Sequence, residues 1–189
     1  MNLIQIGNIT VPAVQPAVGL ALAGAWLYAH FKLGNAFAEQ VSSAFFLFIF
    51  VWKGSILLFQ FDLVVKAPLS LLYFNGGING FILGIAVALA YMWIKKISSY
   101  KAALVWAMLV AVYPLAYALL SRSWTYWDGI QAAGSALFFF VAKEGIERAL
   151  TLLLFWQLLF LSADGQAFSI EAMVYSVVTA YMIIWRKKT

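Results

Sequence analysis

Cysteine is absent from this sequence, and histidine occurs only once, as His30. The lack of cysteine excludes disulfide bonds, thiolate nucleophiles, thiolate metal ligands and redox chemistry of the chain's own side chains. A single histidine excludes a metal site built from several imidazoles. The sequence therefore predicts a protein with neither a bound metal nor another cofactor.

Charged residues are also scarce: they make up 10% of the 189 residues, whereas 65% are hydrophobic. A soluble domain is about half apolar and about one quarter charged, so a water-soluble fold of this length could not bury so much apolar surface. No linker-like stretch divides the chain. We therefore predict an integral membrane protein with a single transmembrane domain over residues 1–189.

Long apolar runs fill most of the sequence. A helix needs roughly 20 apolar residues to span a membrane, and seven runs approach that length. They cover residues 11–31, 41–64, 68–94, 101–121, 128–146, 148–163 and 168–185. They predict an all-α fold, a polytopic bundle of about seven transmembrane helices. The stretch Lys143–Arg148 is predicted to be a tight turn; if it belongs instead to one bent helix, the count falls by one or two.

The basic residues give the bundle a direction, because lysine and arginine are enriched on the cytoplasmic side of membrane proteins. Two basic clusters share one predicted side, namely Lys95, Lys96 and Lys101 in a loop and Arg186, Lys187 and Lys188 at the end of the chain. Placing both in the cytoplasm puts the N-terminus outside and the C-terminus inside. The net charge of +5 thus reflects topology, and nucleic acid is not an expected partner.

Stripes of small residues predict where helices pack. The third run carries Gly76, Gly80 and Gly84 at fourfold spacing, and the first run carries Gly19, Ala23 and neighbouring small residues. When lipid is the solvent, such stripes let helix backbones approach closely. We therefore expect the first and third helices to be buried in the bundle.

Lys53 is the one charge near the middle of a predicted span. It lies about 12 residues into a run of about 24, roughly 18 Å from either end at 1.5 Å per residue. Inserting a cation there costs about 2.5–3.5 kcal/mol. Lys53 must therefore face protein, water or a bound anion, either as a structural residue or as a functional one in a cavity. Gln60 lies seven residues further on and shares the predicted Lys53 face.

A small polar patch is predicted at the outer half of the third helix. Asn75 and Asn79 lie one turn apart, with Gly76 and Gly77 between them. The asparagines either join helices by hydrogen bonds or contact a ligand. The glycines serve packing alone or also open space for that ligand.

Three segments in the first half of the chain carry a family resemblance. Ile6–Val11 leads into a Gly- and Ala-rich helix, Val51–Phe59 surrounds Lys53, and Pro68–Leu69 precedes the glycine-rich Asn75–Gly80. In this order, the segments resemble the prolipoprotein diacylglyceryl transferases, bacterial enzymes that move a diacylglyceryl group from phosphatidylglycerol to a lipoprotein cysteine. The resemblance covers about residues 1–96. It implies a multi-pass protein of the bacterial plasma membrane, with a lipoprotein or another membrane protein as partner.

The chain departs from that family at several positions, as a divergent, shortened relative would. Lys53 stands where the family has arginine, and Asn75 stands where it has histidine. The later Gly-Arg-Ile-Gly-Asn-Phe motif is not found, and Arg122 is the only arginine near its place. Lysine keeps the charge but loses bidentate phosphate binding, and asparagine cannot carry a proton.

The resemblance implies roles for particular residues. Lys53 would hold the phosphate of an anionic phospholipid, and Gln60 would orient its head group. The outer end of the lipid pocket would be lined by Asn75, Gly76, Gly77 and Asn79. Asp62 and Asp128 are the carboxylates nearest by topology, as candidate general bases.

Three classes of function stay open. The first is an enzyme of the diacylglyceryl transferase type. The second is a non-catalytic relative, a lipid- or peptide-binding membrane partner or assembly factor, which the lack of histidine and cysteine near the outer face favours. The third is a small transporter with Lys53 at a midplane site, although no internal repeat supports it.

Overall fold

The structure, a computed structural model, describes residues 3–6, 9–66, 76–121, 125–141 and 145–188. Two antiparallel strands open the chain, β1 Leu3–Ile6 and β2 Ile9–Pro12. The helices are α1 Val14–Tyr28 with a π-helical turn Ala29–Leu33, α2 Asn35–Gly54, α3 Ile56–Phe59, α4 Phe61–Lys66, α5 Gly77–Ile94, α6 Ser99–Ser121, α7 Tyr126–Val141, α8 Ile146–Ala163 and α9 Ile170–Lys188. The described part of the chain is thus helical apart from a short hairpin.

The all-α prediction is confirmed for the described residues, and the short hairpin is an addition that the sequence analysis did not predict. The β ladder pairs Leu3 with Pro12 and Ile6 with Ile9. Isoleucine, threonine and valine are frequent in this segment, and β-branched residues favour extended backbone. Proline lacks an N–H, and its place at the end of β2 leaves the ladder intact.

Among the described residues, four helices are long and apolar enough to cross a membrane: Asn35–Phe59, which runs through α2 and α3, and α5, α6 and α8. Helices α1 and α7 have 15 and 16 residues, short of the roughly 20 that a bilayer core requires. Helix α9 has 19 residues but includes Glu171 and the basic residues near the end of the chain. The membrane class of the protein is supported, while the count of seven spans and their direction remain predictions.

The chain packs as two compact units. The small unit is Gly34–Ile97 and contains α2 to α5, whereas the large unit comprises the chain before and after that segment, with the hairpin, α1 and α6 to α9. Helices α2 and α5 pack together in the small unit, and α6 contacts each of α1, α7, α8 and α9 in the large unit. The single domain over residues 1–189 remains a prediction.

Helix α1 packs along α6 with a stripe of alanines buried. Ala17, Ala21 and Ala25 follow one another at fourfold spacing and are all buried. A Cβ atom on Gly24 would lie 3.5 Å from Val112 Cγ1 of α6. Small side chains therefore bring these two helices close together, as expected where lipid is the solvent.

The prediction that small residues of α1 pack closely is correct for neighbours of Gly19 and Ala23 but wrong for these two residues themselves. Gly19 and Ala23 are both exposed, and nothing lies within 4 Å of a Cβ built on Gly19. Both stripes have the same spacing, so the sequence alone did not distinguish which of the two faces α6.

A proline in α6 shapes the core of the large unit. Pro114 has no N–H, so the carbonyl of Val110, four residues earlier, loses its helical donor. Gln157 of α8 replaces that donor: its Nε2 donates to Val110 O at 3.3 Å and to Ser135 Oγ at 2.9 Å. Its Oε1 accepts from Gln131 Nε2 at 2.6 Å. The buried amide of Gln157 thereby ties α6, α7 and α8 together.

Helices α7 and α8 lie side by side, with Gln131 near the start of α7 bonded to Gln157 near the end of α8. This antiparallel pairing rules out one bent helix. The predicted turn is shorter than Lys143–Arg148, because α8 already begins at Ile146. Residues 142–144 lie outside the described part of the chain.

Candidate functional site

At the carboxyl end of α2, the carbonyl oxygen of Trp52 accepts two hydrogen bonds from outside the regular helical pattern. Ser55 Oγ donates to the carbonyl oxygen of Trp52 at 2.8 Å. The same oxygen accepts the backbone N–H of Gly76 at 3.2 Å. Because Gly76 is the residue before α5, this bond joins the end of α2 to the start of α5. We call this place the α2–α5 junction; it consists of Trp52, Lys53, Ser55, Gly76 and Gly77.

Glycines allow the close approach at the junction. A Cβ atom on Gly76 or Gly80 would overlap Ser55 Oγ, and one on Gly84 would lie 2.9 Å from the carbonyl oxygen of Phe48. The prediction that this stripe packs closely is confirmed. The expectation that α5 is buried as a whole is wrong, since only Gly80, Gly84 and Met92 of this helix are buried.

Lys53 belongs to the last turn of α2, not to the middle of a span. The predicted position is wrong because α2 begins at Asn35, before the apolar run starts at residue 41. From Lys53 to Phe59, where the apolar helix ends, the distance is about 9 Å at 1.5 Å per residue. Its side chain is partly exposed, so the ammonium group can reach the end of the span along its own stem.

Gln60 does not share a continuous helix with Lys53. The backbone leaves helical geometry at Gln60, where φ is −140° and ψ is 43°. The seven-residue spacing therefore places the two on no common helix face, and that part of the prediction is wrong. Gln60 and Asp62 are both exposed, and Asp62 lies in the first turn of α4.

The described residues of the predicted polar patch, at the start of α5, are exposed apart from Gly76. Gly77 is exposed with φ +62°, a left-handed conformation that favours glycine, and a Cβ there would meet nothing within 4 Å. Asn79 is exposed in the first turn of the helix. Asn75, the other predicted member of this patch, lies outside the described residues.

The remaining predicted residues belong to other places. Asp128 caps α7, because its Oδ2 accepts from the N–H and from Oγ1–H of Thr125, both at 2.7 Å. A carboxylate held in this way stabilises a helix end. It is in the large unit, whereas Lys53 is in the small one. Arg122 lies outside the part of the chain that the structure describes.

Sequence reasoning missed a second group of polar side chains, between α6 and α9. Tyr113 Oη donates to Glu171 Oε1 at 3.0 Å, and Trp106 Nε1 donates to Thr179 Oγ1 at 2.9 Å. Tyr175 lies on α9 between Glu171 and Thr179 in the sequence. The signal was present, because residues 171, 175 and 179 recur every fourth position and so share one helix face.

Comparison with known proteins yields no match to this chain among protein-family models, curated proteins or solved structures. The resemblance to the diacylglyceryl transferases therefore rests on sequence segments alone. The function is inferred from the chain's own residues and their geometry.

Proposed function

We propose that this protein binds an anionic phospholipid in the membrane, with the head group at the α2–α5 junction. The observation that carries the proposal is the 3.2 Å bond from the Gly76 N–H to the Trp52 carbonyl. It puts the backbone of Lys53, the residue after Trp52, beside the first turn of α5. The resemblance implies phosphatidylglycerol as the lipid.

The chemistry of the junction suits a phosphate group. The first amides of a helix have no acceptor within the helix and carry the positive end of its dipole. Such an end attracts anions, and glycines allow an anion to come close to the backbone. Lys53 adds a full positive charge as a point donor. Asn79 supplies an exposed amide in the first turn of the helix. Asn75 and Gln60 belong to the proposed lipid site on the sequence resemblance alone.

The proposal includes seven spans, the N-terminus outside and the C-terminus inside, in the plasma membrane of a bacterium. This direction follows from the basic residues. It places the end of α2 and the start of α5 at the outer leaflet. Both leaflets of such a membrane offer anionic phospholipid, so the lipid reaches the junction by lateral diffusion.

A binding role is favoured over diacylglyceryl transfer. In the described part of the small unit the carboxylates are Glu39 and Asp62. Glu39 lies 14 residues before Lys53 on α2, about 21 Å along the helix, and Asp62 is exposed on α4. The histidine of the chain, His30, belongs to the large unit. The residues of the junction include no carboxylate and no histidine, and histidine is the side chain that most often acts as a general base.

Lipid binding and turnover are tested on the same purified protein. Lipid that co-purifies is quantified by mass spectrometry for the native chain, for Lys53→Ala and for Lys66→Ala. Lys66 is an exposed lysine of the same unit and serves as the matched control. We expect Lys53→Ala to lose about tenfold or more of its bound phosphatidylglycerol, since a hydrogen bond to a charged group contributes about 1.5–3 kcal/mol. Lys66→Ala keeps it.

The transferase alternative is measured with a lipobox peptide, as release of glycerol-1-phosphate from phosphatidylglycerol. Turnover by the native protein that Lys53→Ala abolishes would favour the enzyme over the binding role. Equal lipid content in all three proteins would show that Lys53 is structural, and the proposed site would fail.

A further inference from the structure

Glu171 and Tyr113 are half-buried and both belong to the large unit. Glu171 is in the first turn of α9, and its Oε1 accepts from Tyr113 Oη at 3.0 Å. Tyr113 is three residues from Val110, the middle residue of α6. The carboxyl group therefore meets α6 roughly 12 Å from the Ser121 end of that helix, at 1.5 Å per residue. An ionisable carboxyl group packed against a long apolar helix is costly to keep, which marks it as a candidate functional group.

Glu171 has no positive partner in the described part of the chain. Its recorded contact is the hydroxyl of Tyr113, and it forms no ion pair with any described residue. The ion pair of α9 joins Arg186 to Glu147, 15 residues further along the helix, or about 22 Å. A carboxylate can accept about four hydrogen bonds, so this one has capacity for a donor that carries charge.

The Tyr175 hydroxyl, one helical turn from Glu171, lacks a hydrogen-bond partner among the described residues. Tyr175 follows Glu171 by four residues and so lies on the same face of α9. Its side chain is buried, and its Oη makes no hydrogen bond with a described residue. Leaving a buried hydroxyl unsatisfied costs free energy comparable to a lost hydrogen bond. The site therefore combines a carboxylate with free acceptor capacity and a buried hydroxyl without a partner.

We propose that Glu171, Tyr113 and Tyr175 bind a primary ammonium group. An ammonium has three donors and no acceptor, which suits the free capacity of the carboxylate and the hydroxyl oxygen of Tyr175. The Tyr113 and Tyr117 rings are stacked, with centroids 6.2 Å apart. Trp106 lies against Tyr175 at 6.4 Å. Aromatic faces attract a desolvated cation, so the site compensates for the water that the ammonium leaves.

A metal ion fits this site less well. The described residues contain no group of three or more His, Cys, Asp or Glu side chains that could hold one. Calcium takes six to eight oxygen ligands and magnesium six, whereas this site offers one carboxylate and phenolic hydroxyls. A single positive charge with directed N–H donors matches what the site provides.

An exposed segment leads to the site. Residues 162–168, at the end of α8 and in the loop that follows, are all exposed, and Glu171 lies in the first turn of α9, which begins at Ile170. The amine is either a small free amine or the head group of an aminophospholipid, since both present the same ammonium. This inference does not depend on the phospholipid site at Lys53, because the two sites lie in different units and attract opposite charges.

Binding is measured by calorimetry and by thermal unfolding of the intact protein in phosphatidylcholine nanodiscs. Ethanolamine is the probe, and sodium chloride at equal ionic strength is the control for screening. We expect ethanolamine to bind saturably and to raise Tm, and sodium chloride to do neither. A second set of nanodiscs contains phosphatidylethanolamine. If the lipid head group is the ligand, added ethanolamine competes with it and the shift shrinks; if the ligand is a free amine, the shift is unchanged.

Two variants test the residues. Glu171→Gln keeps an acceptor for Tyr113 but removes the charge, and we expect it to weaken ethanolamine binding at least tenfold. Tyr175→Phe removes the unsatisfied hydroxyl, so we expect unchanged or higher Tm without ligand and several-fold weaker binding. Glu147→Gln is the matched control, since it neutralises a carboxylate of the same unit outside the site and leaves binding unchanged.

The proposal is overturned by any of three results. The first is that the native protein does not respond to ethanolamine, or responds as it does to sodium chloride. The second is that Glu171→Gln, shown to be folded by its circular dichroism spectrum, binds ethanolamine as tightly as the native protein does. The third is that Tyr175→Phe lowers Tm in the absence of ligand and leaves the affinity for ethanolamine unchanged, which would mean that the hydroxyl has a partner within the protein.

Discussion

At the scale of single residues, the Val110 carbonyl shows how one side chain compensates for a proline. Pro114 removes the helical donor, and Gln157 supplies another at 3.3 Å while it also bonds Ser135 and Gln131. Gln157→Leu removes the partner of the Val110 carbonyl and of the Gln131 side-chain amide. We expect it to lower the free energy of unfolding by about 1–3 kcal/mol, measured by denaturant titration in detergent.

The mechanism predicts a specific rescue. Pro114→Ala restores an N–H at position 114, which can donate to the Val110 carbonyl in place of Gln157. In that background Gln157→Leu should therefore lower the free energy of unfolding by less than it does in the native protein. Gln166→Leu, an exposed glutamine, is the control and should change stability by about 0.5 kcal/mol or less. If the cost of Gln157→Leu is the same with and without Pro114, the amide does not compensate for the proline.

Gly80 makes a second prediction at this scale. A Cβ atom at position 80 would overlap Ser55 Oγ and lie 3.2 Å from the Trp52 carbonyl. We expect Gly80→Ala to lower the free energy of unfolding by about 1–3 kcal/mol, because overpacking displaces α2 from α5.

Gly19→Ala is the matched control. Position 19 is helical, and nothing lies within 4 Å of a Cβ there. Alanine is favoured over glycine in a helix by about 0.5–1 kcal/mol, so this variant should be neutral or stabilised in the same unfolding measurement. A similar loss in both variants would mean that the cost does not arise from the α2–α5 contact.

At the scale of elements, α8 and α9 are joined by a charged contact that contributes little. Arg186 Nη1 lies 3.7 Å from Glu147 Oε1, with relative exposures of 33% and 41%. The guanidinium also sits 5.7 Å from the Tyr100 ring centroid. Exposed ion pairs contribute about 0–1 kcal/mol and are screened by salt.

Glu147→Gln should therefore lower the free energy of unfolding by less than about 1 kcal/mol at low salt. In 1 M salt the difference from the native protein should shrink further, because the Debye length falls to about 3 Å. Unfolding is followed by helical circular dichroism at both salt concentrations. A loss above about 2 kcal/mol that salt leaves unchanged would mean that the pair is effectively buried.

At the scale of the whole molecule, the proposed topology of seven spans decides which side of the membrane the α2–α5 junction faces. The absence of cysteine makes the chain suited to labelling, because any introduced thiol is the only one. Gln166 and Lys95 are both exposed and lie in loops that the proposed topology assigns to opposite sides. A membrane-impermeant maleimide on intact cells should label Gln166→Cys at once and Lys95→Cys only after permeabilisation. Labelling of both from the same side would contradict seven spans.

The sequence predicted the helices well where a long apolar run had clear ends, as for α6, predicted at 101–121 and found as Ser99–Ser121. It misplaced Lys53 because α2 begins at Asn35, in a stretch with Glu39 and Gln40 that hydropathy does not mark as helical. The hairpin was missed because two four-residue strands give a weak pattern. At the candidate site, the glycines of α5 were predicted correctly, since close packing in lipid requires small residues wherever they recur on one face.

The sequence by itself determined the solvent of this protein. With so few charges and so many apolar residues, its helices require a membrane, and its lack of cysteine and scarcity of histidine limit the chemistry available to it. Only the tertiary structure decided which residues meet. Hydrogen bonds join residues that are distant in the chain. One is the backbone bond from Gly76 to Trp52, and two are side-chain bonds, from Gln157 to Val110 and from Tyr113 to Glu171. Periodicity shows which side chains share a face, but it does not contain the register or the partner of that face.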